Sequence, residues 1–304
     1  MSRQQRRVTR QSAEDRKAQY FRLPLPPCKG PKLHAFRQDV KPIKWLSRLD
    51  SHNYTDADRG EVPFTYVFKV EIDSTIYALK VFDFFHVEDY RRYWGNLMPE
   101  SYPVETIRLH TDPFYAECRA YGRIMETEAK RPRMMPICVP CYGYMMLSEE
   151  DRHILETRFY LAFDDIHSRR EPLRALVKQY AGSDPGITEH SLTKTRQRMK
   201  NMNKLGIYNR DIGLDNFLNG LLIDFDNAWT EPHCFIQDMP RPHHIQENKD
   251  YDKYKFDEML KCSGFSKKYS FYPNAEFCTK LRSNVVHYYS DAFSDTTTDT
   301  DTES

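Results

Sequence analysis

Asp211, Asn216 and Asp224 are side chains of the types that together hold Mg²⁺ and orient a hydroxyl beside a phosphate chain. Asp211 lies five residues before Asn216. Between Asn216 and Asp224, Asn219-Gly220 interrupts two apolar runs. Asn-Gly is the strongest short-range hairpin signal, because a type I′ turn needs positive φ at both central residues. A two-residue loop there pairs Leu218 with Leu221, Phe217 with Leu222 and Asn216 with Ile223. Directly opposed residues lie about 4.5–5.5 Å apart, so the turn carries the amide of Asn216 toward the carboxylate of Asp224. The three polar groups then share one small volume.

Other elements must supply the wall facing that hairpin. The stretch from Phe64 to Ile72 is dominated by β-branched and aromatic residues, Asp73-Ser74 is a turn, and Thr75 to Phe82 is a second strand. Ile76, Ala78, Lys80 and Phe82 share one face of it, while Tyr77, Leu79 and Val81 share the other. A lysine in a strand apolar on both faces is costly to bury unless it is paired. Asp112-Pro113 marks a helix start, with an N-cap carboxylate followed by proline at the first helical position. Phe114, Cys118, Tyr121 and Met125 follow at helical spacing, with Glu117 at the edge of the stripe. Glu117 can point toward the sheet and pair with Lys80; equally, it can be solvated while Lys80 snorkels to water. Further strands are expected at Ile137–Leu147 and Phe159–Phe163, and helices at Glu171–Tyr180 and Ser191–Leu205, the last closed by Gly206.

This order of residues resembles the eukaryotic protein-kinase superfamily. Tyr77-Ala78-Leu79-Lys80 is similar to that superfamily's Val-Ala-Ile-Lys strand, and Phe114-Tyr115-Ala116-Glu117 to the opening of its regulatory helix. Asn209-Arg210-Asp211 stands in the place of His-Arg-Asp, and Asp224-Phe225-Asp226 in that of Asp-Phe-Gly. The resemblance implies an α+β, bilobal, protein-kinase-like fold with a strand-rich N-lobe and a truncated helical C-lobe. It implies ATP and Mg²⁺ as cofactors, with Lys80 and Glu117 positioning the phosphates and Asp211 as catalytic base. Asn216 and Asp224 would be the metal ligands, Ala78 would line the nucleotide site, and Asp164 would sit at the hinge between the lobes. The whole chain also resembles a fungal family of kinetochore subunits of the Sim-four complex. Tyr-Ala-Leu-Lys-Val-Phe at 77–82, Asp-Pro-Phe-Tyr-Ala-Glu-Cys-Arg at 112–119 and Leu-Ile-Asp-Phe-Asp-Asn-Ala-Trp at 222–229 carry that likeness. It implies a nuclear, centromere-associated protein with protein partners.

The chain departs from the kinase pattern in ways that bear on catalysis. The segment from Asp50 to Val62, where a glycine-rich phosphate loop belongs, holds one glycine, Gly60. Only glycine lets backbone approach phosphates closely there. Position 213, where the pattern has a lysine that neutralises the transferring phosphoryl group, is Gly213, and the neighbouring Asp215 has the opposite sign. Asp226 replaces the glycine after Asp-Phe. Only 78 residues follow Asp226, too few for a full set of substrate-binding helices. Three readings stand: a phosphotransferase of unknown acceptor, a pseudokinase scaffold, and a centromere component acting through its surface and tails.

The bulk numbers bound these readings. The 304 residues are 39% hydrophobic and 29% charged, with net charge +1, enough for one large domain or two lobes. The near-neutral total conceals two charged ends. Residues 1–32 carry a net +7 and residues 291–304 a net −5, the latter interleaved with seven Ser/Thr. Both are expected to be disordered tails, flanking an N-lobe at 33–165 and a C-lobe at 166–290. Direct nucleic-acid binding is not expected except through the basic tail. No apolar run is long enough to span a membrane, and no secretory leader is evident, so an intracellular protein is expected. Seven irregularly spaced cysteines suit a reducing compartment. Cys138-Val-Pro-Cys141 lacks the second pair a structural zinc usually wants, and reads as two small residues in an apolar strand.

Overall fold

The computed structural model describes residues 25, 32–36, 42–50, 65–87, 103–163, 172–237 and 242–273. Most of the basic end, the whole acidic end and the segment 51–62 lie outside them.

Five antiparallel strands form the first layer: β1 (Lys44–Arg48), β2 (Thr65–Ile72), β3 (Thr75–Phe82), β4 (Cys141–Met146) and β5 (Arg174–Gln179), in the spatial order β1-β2-β3-β5-β4. β2 and β3 pair in unbroken register from Thr65↔Phe82 to Ile72↔Thr75. They turn at Asp73 and Ser74, both with positive φ, the backbone a two-residue hairpin demands. The outer face buries Trp45, Phe68, Val70, Tyr77, Leu79, Val81 and Val177 in one cluster. A helix not anticipated from the sequence, α3 (Glu149–Arg158), packs there through Leu155. The inner face carries Phe82 and Leu176 into a second cluster shared with the rest of the molecule.

Two helices lead to that inner face, α1 (Val104–Thr111) and the long α2 (Pro113–Lys130). Asp112 caps α2 by accepting from the Phe114 amide at 3.0 Å, with proline at the first turn, as the sequence indicates. Beyond the sheet the chain forms α4 (Glu189–Lys204), ended by Gly206 at φ +72°, then β6 (Ile207–Asn209). A 3₁₀ turn at Leu214–Asn216 leads into the hairpin of β7 (Phe217–Leu218) and β8 (Leu221–Leu222). β9 (Ala228–Thr230) returns to pair with β6, followed by α5 (Cys234–Gln237), α6 (Pro242–Lys249) and α7 (Tyr251–Cys262).

Three sequence expectations need correction. Glu171–Tyr180 is not a helix: its residues 174–179 form β5, buried at all but the last position. Leu-Arg-Ala-Leu-Val-Lys has good helix formers, but the slot between β3 and β4 rewards a strand, and tertiary packing overrides propensity. Because β5 belongs to the sheet, the sheet runs past residue 165, where the first lobe was expected to end. Phe159–Phe163 is not a strand either. Ser148 and Asp151 form a capping box that starts α3, Phe159 caps its end, and Tyr160 follows at φ +56°, 88% exposed. The expected strand Ile137–Leu147 divides. Its first part bridges to the hairpin through Val139 N–H and Leu222 carbonyl at 2.9 Å, and only residues 141–146 enter the sheet.

The hairpin turn is pressed against the chain that leaves β5. Asn219 N–H donates to the Asp184 carbonyl at 2.9 Å and Gly220 N–H to the Pro185 carbonyl at 2.7 Å. Gly186 sits at φ +65°, and a Cβ there would lie 2.6 Å from Asn219 Cα. Gly186→Ala is therefore expected to cost about 2 kcal/mol, from backbone strain plus the displaced turn. Urea unfolding measures it; a neutral alanine would show that the turn is not seated on this segment.

Candidate functional site

Asn219 and Gly220 have φ of +51° and +70°, so the hairpin is the two-residue turn with both central residues left-handed. Its register pairs Leu218 with Leu221 and Phe217 with Leu222, and Ile223 N–H donates to the Asn216 carbonyl at 3.1 Å. The expected register holds. Buried Asn216 donates from Nδ2 to the Asp211 carbonyl at 2.9 Å. Buried Asn209 donates to the Asp224 carbonyl at 2.8 Å and accepts from the Asp211 amide at 3.2 Å. One asparagine thus ties together the backbones that carry two of the three acidic and amide side chains.

Facing the hairpin, Lys80 projects from the inner side of β3 and is 1% exposed. Its Nζ lies 2.5 Å from Asp224 Oδ1, 2.9 Å from Asp226 Oδ2 and 3.1 Å from Glu117 Oε2. Glu117 is fully buried on α2, so of the two readings left open by the sequence, the paired one is realised. A second lysine, which sequence reasoning missed, completes the cluster. Lys178 on β5 lies opposite Ala78 in the sheet, donates to Glu117 Oε1, and donates to the Ile223 carbonyl at 2.7 Å. The signal was present in the alternation of Arg174, Leu176 and Lys178 with Ala175 and Val177. Read at period two, it places two cations on one face, and each meets an acid of the α2 region. Arg174 binds Asp112 at 2.7 Å, and Lys178 binds Glu117.

The electrostatics follow from three carboxylates and two ammonium groups, of which Lys80, Glu117 and Lys178 are buried while Asp224 and Asp226 keep about a quarter of their side-chain surface exposed. Burial would depress the Lys80 ammonium, but Asp224, Asp226 and Glu117 outweigh it and hold Lys80 protonated well above its ordinary range. Burial would likewise raise Asp224, yet Lys80 and Lys178 prevail and hold it low, at about 2. Asp226 goes the other way, because burial and the neighbouring Asp224 charge push its carboxyl up. Asp211 stays exposed at the rim; the partial desolvation it does undergo, with Asp224 and Asp215 nearby, raises it modestly.

Phe225 is fully buried, edge-on to Tyr121 of α2 at 5.2 Å between centroids. This anchors the hairpin's exit beneath the helix and keeps Asp224 turned toward Lys80. The chain turns immediately after Asp226: β9 starts at Ala228, whose N–H donates to the Phe225 carbonyl at 3.0 Å. Arg210 lies over Trp229 and Tyr251, 4.1 and 4.5 Å from the ring centroids, and donates to Asn248 at 3.0 Å. Gly213 brings no cation of its own to Asp211, whose carboxylate feels Lys255 of α7 instead, and the Asp215 carboxylate fills the space where a side chain at 213 would begin, 2.5 Å from its Cβ position. Asp164 lies outside the described residues.

Asp224 and Asn216 are oxygen donors of the kind Mg²⁺ takes, and in kind they fit that ion. The positive charge beside Asp224, however, is already supplied by Lys80. The residues fit a nucleotide's phosphates poorly, because the lysine that would meet them is surrounded by three carboxylates. Elsewhere, Cys138 and Cys141 are free and buried, with thiols pushed up by burial. They behave as small core residues. His110, His233 and Cys234 bring possible ligand atoms within 4.8 Å of one another. Burial, helped by the adjacent Arg119 guanidinium, lowers both imidazoles, and that guanidinium disfavours a cation there.

The strand order, the inward α2 glutamate paired with the β3 lysine, and the Asp-Phe-Asp turn seated below them define a protein-kinase-like domain with a reduced second lobe. The chain belongs to the family described as Kinetochore Sim4 complex subunit FTA2, whose sequence profile matches residues 21–229. Among solved structures it is similar to the Neurospora crassa PAN3 pseudokinase, at 11% identity and a TM-score of 0.32, covering 83% of this chain and 54% of that one. It is similar to the same extent to PAN3 in a complex of Neurospora crassa PAN2 (WD40-CS1) with PAN3 (pseudokinase and C-term), at 11% identity and a TM-score of 0.32, covering 83% of this chain and 53% of that one. The chain thus spans about half the length of these structures, and a likeness so slight adds nothing to the geometry. No curated protein matches the sequence. Among the described residues, no helix is long and apolar enough to cross a membrane.

Proposed function

We propose that this protein is a catalytically inactive kinase-like scaffold that works through protein contacts within a kinetochore assembly, and so in the nucleus. The observation that carries the reading is the state of Lys80. A phosphate-binding lysine needs charge to spare, and this one is neutralised by Glu117, Asp224 and Asp226 within 3.1 Å. The ion cluster ties β3, β5, α2 and the hairpin together, which is a structural task. Gly213 supports the same reading, since loss of one charge-stabilising donor at a phosphoryl-transfer site removes several kcal/mol of transition-state stabilisation. Family membership supports the kinetochore setting and protein partners.

A second reading, binding of ATP with Mg²⁺, draws support from the convergence of Asn216 and Asp224 on one hairpin opposite Lys80. On that reading Ala78 lines the nucleotide site and Asp211 faces the acceptor. One experiment separates the two. Millimolar ATP and MgCl₂ are added to the full chain and the melting temperature and ATP turnover are followed. The scaffold is expected to show no shift and no turnover, with Asp211→Ala indistinguishable from wild type. A ligand at a hundred times its Kd adds about 2.7 kcal/mol of stability. A shift of that size, abolished by Asp224→Asn, would establish the second reading.

A further inference from the structure

Four lysines line one recess of the second lobe: Lys200 and Lys204 from α4, Lys249 from α6 and Lys253 from α7, around a cavity of about 410 Å³. Lys249 is held by Glu231 at 2.6 Å and Lys253 by Asp250. Lys200 and Lys204 stand one turn apart on the exposed face of α4, and among the described residues no ion pair ties either of them. The recess therefore presents uncompensated positive charge to any acidic chain that reaches it.

The end of the described chain lies beside it, with Phe271 near Lys200. Phe271 and Tyr272 donate their amides to the two oxygens of Asp257 on α7, at 2.7 and 2.9 Å. Tyr272 stacks on Tyr254, one residue from Lys253, at 4.8 Å between centroids. Lys200 Nζ lies 6.0 Å from the centre of the Phe271 ring. Asp250, Tyr254 and Asp257 follow one another at helical spacing, so the exiting chain and the recess share one stripe of α7.

Seventeen residues separate Pro273 from Asp291, where the acidic end begins with Asp291, Asp295, Asp299, Asp301 and Glu303 in fourteen positions. At about 3.3 Å per extended residue they could reach more than 50 Å, far beyond the neighbouring recess. A tether of this length holds its end at an effective concentration on the order of millimolar. Weak individual ion pairs suffice for contact at that concentration, and salt weakens them.

We propose that the lysine recess between α4, α6 and α7 is the docking site for the acidic end of this same chain, residues 291–304. The tail then covers this face until a more acidic partner displaces it. The inference does not depend on whether the kinase-like site binds nucleotide. The competing acceptor within the molecule is the basic first segment, residues 1–32, with its net +7.

The test uses the full chain. Zero-length carbodiimide cross-linking, on a mixture of ¹⁵N-labelled and unlabelled protein, is mapped by mass spectrometry at about 50 mM and 500 mM NaCl. The expected result is cross-links within one chain from tail carboxylates to Lys200 and Lys204, lost at high salt. Cross-links chiefly to Lys17 and Lys29, or between chains, overturn the proposal. In parallel, ¹⁵N transverse relaxation of the tail amides is measured for wild type and for K200E/K204E, whose substitutions are exposed and leave the core intact. Relaxation rates are expected to fall at least twofold in the variant, matching wild type in 500 mM NaCl. Equal rates in variant and wild type at low salt overturn it as well.

Discussion

Lys80→Met is expected to destabilise the fold by about 3–5 kcal/mol, the usual cost of leaving a buried ion cluster without one partner. Lys80 is 1% exposed and Glu117 fully buried, so water cannot replace the missing ammonium at Glu117, although it reaches the half-buried Asp224 and Asp226. Lys178 alone would then face Glu117, Asp224 and Asp226. For a domain of this size each kcal/mol is worth roughly 2–4 °C in Tm, so the melting temperature should fall by about 10 °C. The pH dependence has a definite sign. Asp224 is depressed in the folded state by Lys80 first among its partners, so that stabilisation is present above the unfolded carboxylate range near pH 4 and is lost as pH falls. The difference between wild type and Lys80→Met should therefore stay full from pH 7 down to about pH 4 and shrink only below it, toward about pH 2. Urea unfolding at several pH values reads it directly. A loss below about 1 kcal/mol at pH 7 would show that the cluster is not structural, and would remove the main support for the scaffold reading. Glu117→Gln on its own, and together with Lys80→Met, gives the coupling between the pair.

Asp252→Asn is expected to stabilise the protein at pH 8 and to change it little near pH 4. Asp252 on α7 is fully buried. Asn203 Nδ2 donates to its Oδ2 at 2.6 Å, while its Oδ1 has no hydrogen-bond partner. Burial pushes its carboxyl up to about 7, against smaller opposing effects of Asn203 and Lys253. An acid raised in the folded state binds its proton more tightly folded than unfolded, so stability declines as pH rises from about 4 to 7. At about 1.4 kcal/mol per pH unit, the penalty above pH 7 is on the order of 2–4 kcal/mol. Asparagine keeps the shape and carries no charge, so it escapes that penalty. The measurement is the difference in unfolding free energy between variant and wild type from pH 4 to 8. A difference that does not grow with pH would mean that Asp252 is ionised at no such cost.

Much of the candidate site was legible because local rules were enough to place it. Asn219-Gly220 dictates a turn whose register follows from side-chain alternation, and that register brings Asn216 beside Ile223 whatever the rest of the chain does. Asp112-Pro113 starts α2, and the spacing to Glu117 follows from the helical repeat. The error at Glu171–Tyr180 has a different origin. Leu173–Lys178, four apolar residues and two cations, satisfies helix and strand patterns alike, and nothing within it reveals the vacant slot between β3 and β4. Lys178 was missed for the same reason, since its partner Glu117 is 61 residues away in the chain.

By itself the sequence determined which residues could meet: a lysine on a two-faced strand, a glutamate on a capped helix, and an aspartate–asparagine–aspartate set on a tight hairpin. Hydrogen-bond geometry and side-chain periodicity act over a few residues, so they are written locally. Only the tertiary structure decided what the meeting amounts to. Lys80 is ringed by Glu117, Asp224 and Asp226, and Lys178 arrives from β5 to bind the same glutamate. Whether a buried charge is spare or spent depends on every charge within a few ångströms, and those neighbours come from strands and helices far apart in the chain.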